Sequence, residues 1–310
     1  MAIYEHLQHF DGKPVVDWEL GTPLTGPGET AYRISISWEE HEAKSQWTDK
    51  FAQFLTEPGV EEVTALIVGP WEGAMESDGS SEAATEAIVA AREQLPNLKA
   101  VFVGEILAEE AEISWIQQSD LSALFNAYPL LETFYARGGN GLHLGSPTHD
   151  HLKTLVVQSG GLDVEVVREV AGASLSALEH LELWLGTENY GATTTVDDVL
   201  PILNDNLFPS LKYLGLCDSE IADAIAAAIA TAPILDQLEV LDLSLGTLSD
   251  EGALALIAAP SIGKLRSLDI HHHYVSPEVV DQLLALPVSV DATSPESAAD
   301  EDDRYVAVSE

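Results

Sequence analysis

The chain has 310 residues, 46% of them hydrophobic, with 13 basic against 52 acidic residues and a formal charge of −39. That composition supports a large core and excludes a disordered chain. A surface so negative repels nucleic acid and anionic membranes, so neither is expected as a partner, and a basic protein or peptide is its complement. Solvation alone, as in a salt-adapted protein, explains the acidity equally well.

Cys217 is the only cysteine, which rules out an intramolecular disulfide and a cysteine-based zinc cluster. The N-terminus lacks a basic start followed by an apolar run, and the longest apolar stretch, residues 224–235, is too short to span a bilayer. A cytoplasmic protein is expected. Two average domains fit this length, although a stacked array grows in one dimension and needs only one.

In chain order, residues 21–28 (GTPLTGPG) read as a loop. Tyr32, Ile34, Ile36 and Trp38 then alternate with polar residues, the period of a half-buried strand. Trp47, Phe51, Phe54 and Leu55 follow at helical spacing. This strand and helix are expected to close one end of an array, within an N-terminal capping region of residues 1–62.

Residues 63–290 carry a recurring register: VTALIV from Val63, LKAVFV from Leu98, LETFYA from Leu131, LKTLVV from Leu152, LEHLEL from Leu178, LKYLGL from Leu211, LEVLDL from Leu238 and LRSLDI from Leu265. The spacings are 35, 33, 21, 26, 33, 27 and 27 residues, with a weaker copy, ALPVSV, at 285–290. About ten parallel strands follow, with helices predicted over 82–95, 120–128, 163–170, 196–204, 221–232, 249–258 and 277–286. The fold class is therefore α/β, a leucine-rich-repeat solenoid with a curved parallel sheet inside and helices outside. Residues 69–81, 137–150 and 186–195 are loops by composition and leave from one strand end. Residues 291–310 form an acidic tail; 291–303 should be disordered or loosely tethered, and the closing RYVAVSE either docks on the last repeat as a capping strand or frays.

The segment LDLSLGTLSDEGALAL, residues 241–256, resembles the ribonuclease-inhibitor type of leucine-rich repeat. The whole chain resembles a bacterial leucine-rich-repeat family, through EISWIQQSD from Glu112, LEHLELWLGTENYG from Leu178, DIHHHYVS from Asp269 and the closing RYVAVSE. The resemblance implies the fold and carries no activity. It departs from the usual pattern where an Asn or Cys follows each strand: those positions hold Gly160, Ser219, Gly246 and His273.

Within each strand the first, fourth and sixth positions point to the core, which leaves the third, fifth and seventh on the concave face. The early repeats present Ile67, Phe102, Tyr135, Arg137 and Val156 there; the later ones present His180, Glu182, Trp184, Tyr213, Asp242, Asp269 and His271. A protein or peptide partner is expected on Tyr135, Arg137, His180, Glu182, Trp184, Tyr213, Asp242, Asp269 and His271, residue types that dominate interfaces. The alternative is that the N-terminal segment or an inserted loop covers the early aromatic residues.

Asp242 and Asp269 should stand side by side with His271 nearby, which raises a metal-binding or metal-dependent hydrolytic alternative. Consecutive strand residues face opposite ways, so His271, His272 and His273 cannot all bind one ion; His273 is expected to fill the turn position. Cys217 reads as a packed thiol. No phosphate loop and no catalytic triad order is recognisable, so neither a cofactor nor a catalytic residue is expected. A structural subunit joining other components is the third reading, and the oligomeric state stays open.

Overall fold

The computed structural model describes residues 3–76, 78–204, 206–299 and 303–309. Its strands are β1 (His9–Phe10), β2 (Lys13–Asp17), β3 (Ala31–Ile34), β4 (Ala65–Val68), β5 (Ala100–Val103), β6 (Thr133–Arg137), β7 (Thr154–Gln158), β8 (His180–Gly186), β9 (Tyr213–Ser219), β10 (Val240–Asp242), β11 (Ser267–Asp269) and β12 (Ser289–Asp291). They form one open sheet in chain order. The β1–β2 pair is antiparallel and every later pair is parallel. This arrangement is compatible with a repeat solenoid.

The helices are α1 (Trp38–Glu42), α2 (Trp47–Phe54), α3 (Glu82–Ala90), α4 (Ser122–Ala127), α5 (Val164–Ala171), α6 (Val196–Asn204), α7 (Ala222–Ile229), α8 (Asp250–Ala258) and α9 (Pro277–Leu284). Successive helices pack on one another along one side of the sheet. In α7 the buried positions are Ala222, Ile225, Ala226 and Ile229, one stripe at helical spacing. None of the described helices is long and apolar enough to cross a membrane.

The strand leucines point toward these helices. Leu238, Leu241 and Leu243, then Leu265, Leu268 and Ile270, belong to one continuous core cluster that runs the length of the stack. Leu241 pairs with Leu268 across adjoining strands, so equal positions in successive repeats become lateral neighbours. Successive helices are also tied at their starts. Asp223 Oδ1 accepts from the backbone N–H groups of Ser249 and Gly252 at 2.8 and 3.0 Å, and Asp250 Oδ1 accepts from Ser276 N at 2.7 Å. Each acid thereby satisfies orphan donors at the next helix N-terminus.

Three expectations change. There are twelve strands rather than about ten, because residues 9–17 add a short hairpin and its second strand to the sheet. The strand expected over 32–38 stops at Ile34, because Ser37 and Glu40 form a capping box that opens α1 at Trp38. Residues 291–299 are not loose: Asp291 ends β12 and Glu296 N donates to His273 O at 2.7 Å. The remainder of that expectation, residues 300–302, lies outside the described residues.

The absent Asn ladder is replaced by other side chains. Ser219 Oγ accepts from Ile221 N at 3.2 Å, and Thr247 Oγ1 donates to the Ser219 and Glu220 carbonyls. His273 is fully buried at the turn position: its Nδ1 accepts from Val275 N at 3.0 Å while Nε2 donates to Ala292 O at 3.1 Å. Burial holds this imidazole below its ordinary value, so the neutral ring is the folded form. His273→Ala leaves two buried backbone groups unpaired and should cost about 2–4 kcal/mol in urea unfolding. A group depressed in the folded state adds stability that is lost as pH falls below its unfolded value of about 6.5. The difference between wild type and variant should therefore narrow on acidification; a pH-independent difference would contradict the assignment.

Candidate functional site

Lateral pairing places one residue from each strand in a single row on the face opposite the helices. From β2 to β12 that row reads Asp17, Arg33, Ile67, Phe102, Tyr135, Val156, Glu182, Gly215, Asp242, Asp269 and Asp291. The row divides into a covered half and an open half.

The covered half lies under the N-terminal segment. The row beside it is Ala31, Ala65, Ala100 and Thr133, whose small side chains leave room for a second layer. Phe10 fills that room, with its ring 6.0 Å from Phe102 and edge-on to Tyr135 at 5.4 Å. Glu105, fully buried, anchors the same segment by accepting from Leu7 N at 2.9 Å and pairing with His6 Nδ1 at 2.9 Å. Arg33 donates Nη1 to Glu105 at 3.0 Å and grips Asp17 with Nε and Nη2 at 2.6 and 2.9 Å. Burial pushes the Glu105 carboxyl up, but these partners outweigh it and hold the group ionised.

The alternative weighed for the early aromatic residues is therefore the arrangement found: the N-terminal segment covers Ile67, Phe102 and much of Tyr135. Burial pushes the Tyr135 phenol up to about 12. Arg137 is buried as well, with Nε on Gln158 Oε1 at 2.9 Å, Nη1 on the Ile106 carbonyl at 2.8 Å, and its guanidinium 5.4 Å from the Phe102 ring centre. Burial lowers it only to about 10, so it remains a cation. Trp184 is wholly buried in a cluster with Ile3, Ile113, Cys217, Leu245 and Val308. Arg137 and Trp184 thus offer no surface to a partner, and Glu182 and Asp242 are buried as well, at 8% and 5% exposed, a correction to the sequence expectation for all four. Alternation along a strand assigns their face; it carries no information about distant segments folded over it. Cys217 is a packed thiol pushed well up by burial.

The open half spans β8 to β12. His180 and Tyr213 on neighbouring strands stack at 3.8 Å with their planes 9° apart. The Tyr213 hydroxyl donates to Asp242 Oδ2 at 2.5 Å, and Asp242 Oδ1 accepts from Ser244 N at 2.9 Å. Glu182 accepts from Trp184 Nε1 at 2.7 Å and from His180 Nε2 at 3.3 Å. Gly215 makes this possible: a Cβ there would stand 3.0 Å from Glu182 Cγ and 3.2 Å from the Tyr213 ring. Asp269 and Asp291 repeat the Asp242 pattern, accepting from the N–H two residues on, of His271 and Thr293. Four carboxylates, Glu182, Asp242, Asp269 and Asp291, consequently share one row.

That row sets its own electrostatics. Burial raises the Asp242 carboxyl, with the neighbouring Asp269 charge adding to it. The Tyr213 phenol is pushed up by burial and then by the charges of Glu182 and Asp242, so it stays a donor. The hydrogen bond that His271 Nδ1 donates to Asp269 Oδ1 at 2.8 Å raises His271. Asp242 and Asp269 pair on adjoining strands as expected, with His271 just past β11, yet Asp242 is satisfied by Tyr213 and Ser244 N and Asp269 by His271. Among the described residues no group of three or more His, Cys, Asp or Glu side chains could hold a metal ion, so the geometry gives the metal alternative no support.

Sequence reasoning missed Glu105, Arg33 and Asp291 as parts of this face. Asp291 was reachable, since it continues the register of ALPVSV by one residue. The three aligned alanines were a readable sign that something covers the early strands, whereas Glu105 lies past its strand and had none. His6, raised mainly by its hydrogen bond to Glu105, adds stability below its unfolded value that is lost as pH rises through the folded one. In NMR titration Glu105→Gln should bring His6 back toward about 6.5; an unmoved His6 would contradict the clamp.

No protein-family model matches the chain, and no curated protein matches it. A crystal structure of a Bacteroides fragilis protein, determined as a Northeast Structural Genomics Consortium target, is similar over its length: TM-score 0.81, 31% identity, covering 89% of this chain and 76% of that one. The chain belongs to the family of that Bacteroides fragilis protein.

Proposed function

We propose that the chain is a non-enzymatic interaction module of the leucine-rich-repeat, ribonuclease-inhibitor-like type, which binds a basic protein or peptide on the open half of its inner face. The repeat assignment is supported by leucine triads 27 residues apart that pair laterally, Leu241 on Leu268. One observation carries the binding reading: Asp269 and Asp291 reach solvent on this face together with the half-buried His271 and the stacked His180 and Tyr213, with the buried Glu182 and Asp242 adding negative charge behind them, while the apolar part of the same face is covered.

A cationic segment fits such a row for two reasons. Strand spacing of about 4.8 Å sets the carboxylates at distances that successive basic side chains can bridge. An aromatic face beside them also favours a cation. The overall charge of −39 draws a basic partner in and speeds encounter.

Titration with a lysine- and arginine-rich peptide tests this reading. Binding should weaken steeply between about 0.05 and 0.5 M salt. The double change Asp269→Asn with Asp291→Asn should cost about tenfold or more in affinity, with the fold retained. An affinity unaffected by both salt and the double change would overturn it.

A further inference from the structure

A second groove lies above the carboxylates on the same face, and the chain itself fills it. Residues 304–309 run across the ends of the later strands. Three positions 27 residues apart, Asp218, Leu245 and His272, adopt left-handed backbone without glycine, with φ of 52, 66 and 56°. Each one holds the tail. His272 Nε2 donates to the Tyr305 carbonyl at 3.1 Å, the Leu245 carbonyl accepts from Ala307 N at 2.8 Å, and Asp218 Oδ1 accepts from Val308 N at 2.9 Å. Ser114 Oγ then donates to the Ser309 carbonyl at 2.5 Å. The contacts fall in reverse strand order, and residues 305–308, when extended, span roughly 10 Å, the width of two strand spacings.

The groove is shaped to this segment. Val306 and Val308 are buried, Val308 against Trp184, Cys217 and Leu245, whereas Tyr305 stays exposed. A Cβ on Gly160 would collide with Ser114 Oγ and stand 2.6 Å from the Ser309 carbonyl oxygen, so glycine there lets a backbone pass. Non-glycine residues held in left-handed backbone carry strain of the kind found at functional sites. Asp218 Oδ2 is buried without a partner, which leaves acceptor capacity that the tail does not use.

We propose that this groove is a docking site for an extended partner segment carrying two β-branched aliphatic side chains two residues apart, and that residues 304–309 are a displaceable self-ligand within it. The proposal rests on the interaction reading above and adds a second, apolar determinant to it. Displacement is feasible because the segment's contacts are opposed by the entropy of ordering six residues. Cys217, buried under Val308, reports on the groove.

The experiment uses a chain ending at Asp303 and a labelled peptide of residues 304–310. The shortened chain should react at Cys217 with a thiol reagent at least tenfold faster than the full chain. The peptide should bind it, restore protection, and bind the full chain at least tenfold more weakly, since the tethered tail competes. A peptide with Val306→Asp and Val308→Asp should not bind. Failure of the native peptide to bind a folded shortened chain would overturn the proposal. Should the shortened chain not fold, the full chain with Val306→Ala and Val308→Ala decides. Cys217 reacting tenfold faster under native conditions supports a displaceable tail; reaction only on global unfolding in both chains overturns it. The probe carries no basic cluster, so its failure leaves the cationic-partner reading standing, and failure of the basic peptide leaves this result readable.

Discussion

Lateral register is the constraint on which everything else in this molecule depends. Because parallel strands pair residue for residue, the leucine triads stack into one core and their alternate neighbours become rows on the opposite face. A shift of one residue in any strand would send its leucines outward and its carboxylate or aromatic residue inward. The same pairing that hides Leu241 and Leu268 sets Asp242 beside Asp269. Core and surface are therefore specified together.

Both chain ends then act on that face. The N-terminal hairpin covers the rows where they are apolar or small, over Ala65, Ala100 and Phe102, and is clamped there by Glu105. The C-terminal segment covers Trp184 and Cys217. Both covers respect the charge pattern, since an unpaired carboxylate costs far more to bury than an apolar side chain gains. Glu105 is buried only because Arg33, His6 and a backbone N–H meet it. Asp269 and Asp291, whose partners are local N–H groups and a single His or Thr, stay at the solvent edge. The covers differ in strength. The N-terminal one rests on aromatic packing and a fully buried paired charge, whereas the C-terminal one rests on two buried valines, hydrogen bonds, and contacts of Arg304 and Tyr305 that lie nearer the surface.

Most of the fold was legible because it is periodic. Nine of the twelve strands follow from the leucine register and a tenth from the alternation after Tyr32, and the carboxylate row follows from alternation within the register. What escaped is what periodicity cannot express. KPVVD is too short and too exposed to announce β2. The alternation ending at Trp38 concealed a capping box at Ser37. Trp184 and Arg137 sit at outward positions and read as surface, because their covers come from residues 3 and 308 or from loops remote in sequence. The His triplet was readable in part: strand geometry excluded a shared ion and assigned His273 to the turn, while the contact of His272 with the tail had no local signature.

One face of the sheet is divided: β3 to β7 are sealed, Trp184 and Cys217 on β8 and β9 are covered by the chain ends, and His180, Tyr213, Asp269, His271 and Asp291 reach solvent. Hydroxyl-radical footprinting of the intact chain tests this most directly. It should label His180, Tyr213 and His271 along with the exposed Trp38 and Trp115, and spare Phe102 and Trp184. Labelling of Phe102 and Trp184 as fast as Trp38 would show that the covers are not in place, and would contradict the division of the face.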